Sequence, residues 1–224
     1  MSTRIHDEPR PPLILRIGFW ICIAISVAVA LRRIFALASP SNSGPPQMAG
    51  LDDLFAAHRV RTLAHIIPAL LFVSLLPAIV FRRSPRPAWL NAVFYSLELI
   101  VGLTAYAMIA FSVGGWVERS AVFFFNSLYL VSLFRAFGLN RMNDVARARR
   151  WELRAIAVLL GIATTRPVMA ILFATASVTN LGPRQFFGIA FWIGFSINTL
   201  VFEIWVRSAD RRDLARSRLP AGRF

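Results

Sequence analysis

The chain contains no lysine: all 25 of its basic residues are arginine, set against 11 acidic ones. That absence excludes lysine Schiff-base chemistry and the phosphate-cradling loop that ends in Gly-Lys-Ser/Thr. There is one cysteine, Cys22, inside an apolar run. An intrachain disulfide, a Cys-x-x-Cys redox pair and a cysteine zinc site are excluded with it, and a solitary apolar-flanked thiol reads as a small core filler. Neither a His-Glu-x-x-His helix nor a Gly-x-Ser-x-Gly elbow occurs, so no catalytic constellation is visible and nothing marks the chain as an enzyme. Charged residues make up only 16% of the 224 positions, where soluble domains carry about 25%. What fills the chain instead is apolar: 57% of residues, with a mean hydropathy of +0.60. Such a composition excludes intrinsic disorder and argues against an ordinary soluble enzyme.

Six apolar stretches approach the ~20 residues that a helix needs to cross the hydrocarbon core. They run over about 13–37, 62–81, 88–113, 121–139, 153–178 and 186–206. None alternates in polarity as barrel strands do. The expected fold is an all-α bundle of six transmembrane helices spanning 13–206, between a tail over 1–12 and a basic tail over 207–224. Placing both termini in the cytoplasm puts 18 arginines inside and 6 outside, with Arg166 inside a span. That asymmetry is the positive-inside signal, and it implies a multi-pass protein of a cytoplasmic membrane. Trp89, Trp116, Trp151 and Trp205 fall at span ends, as an interfacial aromatic belt requires. A cleaved secretory signal ending at Ala36-Leu37-Ala38 is the alternative for the first span; Arg32 and Arg33, just before that triplet, argue against it.

The net charge of +14 raises nucleic acid as a partner. The arginines segregate by membrane side and form no basic module interleaved with stacking aromatics, so no nucleic acid is expected. The expected partner is the bilayer itself, with the C-terminal arginines held against anionic cytoplasmic lipid.

Ionisable groups inside spans are costly and mark function or packing. Glu98 lies ten residues past the start of the third span and Arg166 thirteen past the start of the fifth. A rise of 1.5 Å per residue leaves a depth mismatch of only about 4–5 Å, which predicts a buried Glu98–Arg166 ion pair. Asn91, Tyr95, Glu98, Gly102 and Ala105 recur at spacings of four and three, which puts them on one stripe. The stripe reads either as the wall of a polar cavity or as a packed helix interface. His65 reads as a satisfied polar group near the outer interface. No cofactor or metal is expected: His58 and His65 stand about 10.5 Å apart along one helix, too far to share an ion. A haem would need an axial pair such as His65–Met169. Trp151 and Arg154 read as interfacial anchors, and Glu203 as the partner of a nearby arginine.

The stretch from Asp144 through Trp151-Glu-Leu-Arg154 to Thr164-Thr-Arg166 resembles the bacterial membrane proteins grouped as domain of unknown function family 2306. The resemblance covers about 51–206 and implies a bacterial origin and a role for Arg154 and Arg166. Ala148 stands where that family has a His, and its His-Arg pair near Ala88-Trp89 is absent, so a histidine-based metal, haem or proton relay does not carry over. The function expected is binding or transport of a small solute or proton, using Glu98 and Arg166. A structural or accessory membrane subunit is the alternative, and a haem-carrying redox subunit a second one.

Overall fold

A computed structural model of the chain describes residues 12–38, 53–81 and 86–218, with the side chains of 183, 210 and 212–218 left aside. The tail over 1–11, the loop arginines Arg82 and Arg83, and the last residues 219–224 lie outside the described residues. Six long helices account for nearly everything described, and no strand occurs among these residues. They are α1 (Leu13–Ala38), α2 (Arg59–Val80), α3 (Ala88–Ile109), α4 (Gly115–Arg141), α5 (Val145–Ala174) and α6 (Pro183–Arg218). A single helical turn, Ala176–Thr179, stands between α5 and α6. Each long helix contains a stretch apolar and long enough to cross a membrane, as the sequence implied.

Local chemistry sets the boundaries. Pro12 and Pro87 precede α1 and α3, where a missing N–H costs nothing. The α3 stripe stops at Ile109, short of the expected 113, because a turn follows in which Phe111 N–H bonds Met108 O and Ser112 N–H bonds Ile109 O. Gly115 takes a left-handed φ of 61°, a conformation glycine adopts without strain. The Glu118 carboxylate then accepts the Gly114 N–H at 2.5 Å, so α4 begins six residues before the expected 121. Asp144 caps α5 by accepting the Arg147 N–H at 3.2 Å, and this helix begins eight residues before the expected 153. The last helix continues to Arg218, so most of the expected C-terminal tail prolongs α6. Ala, Leu and Arg favour helix, and Glu203 pairs with Arg207 one turn on, at 3.7 Å.

Five helices form a ring in chain order: α1 packs on α2, α2 on α3, α3 on α4, α4 on α5, and α5 back on α1. The sixth lies outside, in the groove between α4 and α5. Aromatic and aliphatic side chains fill the ring, among them Phe72, Leu76, Phe94, Phe125, Tyr129 and Ile156. Against α5 the sixth helix approaches very closely at Gly194, where an added Cβ would stand 2.6 Å from the Thr165 backbone N. Small residues at such crossings are how membrane helices gain packing without a hydrophobic driving force between them. Large apolar side chains face outward along the helices; Phe123, Phe134 and Ile204 are about 60% exposed or more, as suits helices that could lie in hydrocarbon.

Candidate functional site

The end of the ring where α2 finishes and α3 and α5 begin is rich in arginine. Glu152 lies there, two turns into α5 and 3% exposed. Its carboxylate accepts the Tyr95 hydroxyl of α3 at 2.6 Å and a guanidinium N–H from Arg86, just before α3. Arg149, one turn earlier on α5, approaches the same carboxylate at 3.5 Å. Arg149 also donates to the Val80 carbonyl at 2.6 Å, satisfying the last turn of α2. The Arg86 guanidinium lies 5.0 Å over the Phe94 ring. One carboxylate thus ties α2, α3 and α5 together.

One turn deeper along α3 is Glu98. Its side chain is 0% exposed, and neither carboxylate oxygen has a hydrogen-bond partner among the described residues. The charges that act on it are those of Glu152 and Arg86. Its backbone carbonyl accepts the Tyr129 hydroxyl of α4 at 2.8 Å. The stripe proposed from spacing does face inward: Tyr95, Glu98 and Gly102 are buried, and Asn91 and Ala105 half-buried. Asn91 makes no side-chain hydrogen bond among the described residues. Beyond Glu98 the polar contacts continue along α3. The Asn126 amide donates to Gly102 O at 2.9 Å, the His65 Nδ1 and Thr104 hydroxyl pair at 2.9 Å, and the Tyr106 and Ser127 hydroxyls pair at 2.7 Å.

The anticipated Glu98–Arg166 pair does not form. Among the described residues Glu98 has no donor, and Arg166 is half-buried with its Nε unpartnered. The reason is register. Tyr95 and Glu152 each stand seven residues from the start of their helix and meet, which puts Glu98 level with Ala155. Arg166 is eleven residues further along α5, about 16 Å away in depth. The charges that act on it are Arg33, Arg32 and Glu118, at the far end of the bundle.

His65 and Met169 are not brought together either. Met169 packs with Phe187 and Ala190 on the α5–α6 side, whereas His65 bonds Thr104 on α3. Arg154 and Trp151 do meet: the guanidinium sits 4.6 Å over the indole and donates through Nε to Glu203 of α6 at 2.5 Å. With α5 and α6 longer than expected, both Trp151 and Trp205 fall inside helices, while Trp89 and Trp116 keep their places at helix ends and are 67% and 81% exposed.

Sequence reasoning missed Glu152 and Arg149 because the fifth span was started at residue 153, and Arg86 because it was counted only as a loop charge, with no acidic partner in view. The signal was present in Asp144, a capping residue followed by helix-forming Ala, Arg and Glu. No family model, curated protein or solved structure matches the chain. The likeness to domain of unknown function family 2306 gains no support from these comparisons.

Proposed function

We propose that the chain is a multi-pass protein of a bacterial cytoplasmic membrane, with both termini inside, that binds and exchanges a proton at Glu98. The observation that carries this reading is a sealed carboxyl with two unpartnered oxygens, one turn from a second carboxylate held by Arg86, Arg149 and Tyr95. Burying an ionised carboxylate without a donor costs more than the whole net stability of a typical protein. The group therefore takes up a cation, and a proton is the cation that needs no cavity of its own. A wider solute site at Glu98 has no such support, since its side chain is closed off on every side. Tyr95, one turn from Glu98 on α3, donates to Glu152 in the direction of the arginine-rich end, and a proton leaving Glu98 has that pair among its polar neighbours. The excess of arginine in alternate loops supports placing that end in the cytoplasm.

Proton flux into liposomes holding the purified protein, followed with an entrapped pH dye under an imposed gradient, tests the reading. Flux above that of empty liposomes, lost in Glu98→Gln and slowed in Tyr95→Phe, is expected. Flux equal in the parent and Glu98→Gln proteins removes Glu98 as the carrier. Flux no greater than that of empty liposomes leaves the second reading, a structural subunit, which the multiply bonded Glu152 lock between α2, α3 and α5 favours.

A further inference from the structure

On the outside of the bundle, α4, α5 and α6 enclose an open groove of about 260 Å³. Ser132 of α4, Trp151 and Arg154 of α5, and Thr199, Phe202 and Glu203 of α6 line it. A second hollow, of about 440 Å³, lies along α6 at Ile204, Arg207, Ser208 and Arg211, beginning one residue past Glu203 of the first. From Glu203 onward the sequence of α6 turns charged, with Arg207, Asp210, Arg211 and Arg212 within nine residues, so both hollows lie where hydrocarbon gives way to headgroups. We propose that they bind one anionic phospholipid, whose phosphate sits on Arg154 and Arg207 and whose acyl chains lie along α4 and α6.

Three observations point to that occupant. First, charge is unbalanced: among the described side chains Glu203 is met by Arg154 at 2.5 Å and Arg207 at 3.7 Å, with Arg135 near by. A guanidinium offers five N–H donors and one carboxylate cannot satisfy two of them. The surplus donors suit a phosphate, which arginine binds in a fixed fork. Second, Trp151 is a platform rather than a plug. Arg154 and Arg135 both stand over its ring, at 4.6 and 5.7 Å, and these cation–π contacts hold the guanidiniums at the groove instead of in bulk water. Third, apolar outward-facing side chains accompany the hollows: Ile204 lines the second and is 68% exposed, and Val131 and Leu200, next in sequence to the lining residues Ser132 and Thr199, are 53% and 59% exposed. A free phosphate or a polar peptide has no use for such side chains, and a diacyl lipid does. Basic pockets between membrane helices are a known way of holding anionic headgroups.

The test is thermal unfolding of the full chain in neutral detergent with phosphatidylglycerol or phosphatidylcholine at equal mole fraction, with retained lipid counted by native mass spectrometry. Phosphatidylglycerol should raise the Tm and be retained, and phosphatidylcholine should do neither. Arg154→Gln combined with Arg207→Gln should weaken retention at least about tenfold, the equivalent of one lost charge-assisted hydrogen bond. Arg207 is 72% exposed, so Arg207→Gln alone serves if the double variant fails to fold. Glu203→Gln should increase retention, because it removes the carboxylate that competes with the phosphate; a purely structural ion pair predicts the opposite. Equal effects of the two lipids, a preference that survives Arg207→Gln and the double variant, or the same Tm shift from glycerol phosphate alone would each overturn the proposal.

Discussion

Replacing Glu152 by Gln keeps its shape and removes its charge, which isolates what the carboxylate does for the ring. Three groups depend on it. Arg86 and Arg149 are 13% and 15% exposed at the side chain and Glu152 is 4%, so solvent screens this cluster weakly. Breaking a buried ion pair from one side costs about 3–5 kcal/mol, because it strands the opposite charge. The Tyr95 hydroxyl, 2.6 Å from Glu152, keeps a neutral acceptor in the amide and loses only part of a charged hydrogen bond, about 1 kcal/mol. Since these terms share one carboxylate they do not add, and the expected loss is about 3–5 kcal/mol in all. The control is Arg147→Gln: that guanidinium meets Asp144 at 3.4 Å but is 76% exposed, and exposed pairs are worth about 0–1 kcal/mol. Unfolding in mixed micelles, titrated with a denaturing detergent, measures both. Adding Arg86→Gln to Glu152→Gln should cost less than the sum of the two single changes, because the second change removes the charge stranded by the first. A Glu152→Gln protein within 1 kcal/mol of the Arg147→Gln protein would refute the claim that this cluster locks α2, α3 and α5.

Two further outcomes follow from the packing. Glu98→Leu, unlike Glu152→Gln, removes a group with no partner to strand, so stability in the same titration should hold or rise while proton uptake disappears; a loss of more than about 2 kcal/mol would mean that Glu98 is satisfied after all. Gly194→Ala should destabilise by about 1–3 kcal/mol through overpacking against the Thr165 backbone, whereas Gly18→Ala, with nothing within 4 Å of the added Cβ, should be neutral or gain up to about 1 kcal/mol. Equal effects of these two changes would show that α5 and α6 do not meet where described.

The number of helices and their order were legible because they rest on length and hydropathy, which bilayer thickness fixes within narrow limits. The ends were less legible because hydropathy does not mark them. Charged residues such as Arg149 and Glu152 read as loop on a hydropathy criterion, yet both are helical, Glu152 is buried and Arg149 half-buried, and Glu152 pairs with both Arg149 and Arg86. Capping chemistry at Asp144 and the glycine pair at 114–115 were the better guides to where α5 and α4 begin. The inward stripe on α3 was legible for a different reason: a helix repeats every 3.6 residues whatever surrounds it, so spacing alone put Tyr95, Glu98 and Gly102 on one face.

The displaced start of α5 changes more than a boundary, because depth in a membrane bundle is counted from helix ends. Starting the helix at 145 moves Arg166 about 12 Å farther from the arginine-rich end than a start at 153 does. The charge that the sequence placed at mid-depth therefore belongs to the far end, with Arg33 and Glu118. Glu98 then keeps its depth and loses its partner. A paired Glu98 would be one more packing contact, of the kind that holds α5 to α6 at Arg154 and Glu203. Left without a donor among the described residues beside the Glu152 cluster, Glu98 keeps two unsatisfied carboxylate oxygens, and the proposed proton is what would satisfy them. The proposed proton exchange at Glu98 thus rests on the register of α3 and α5, in which Tyr95 meets Glu152 and Arg166 falls about 16 Å deeper than Glu98.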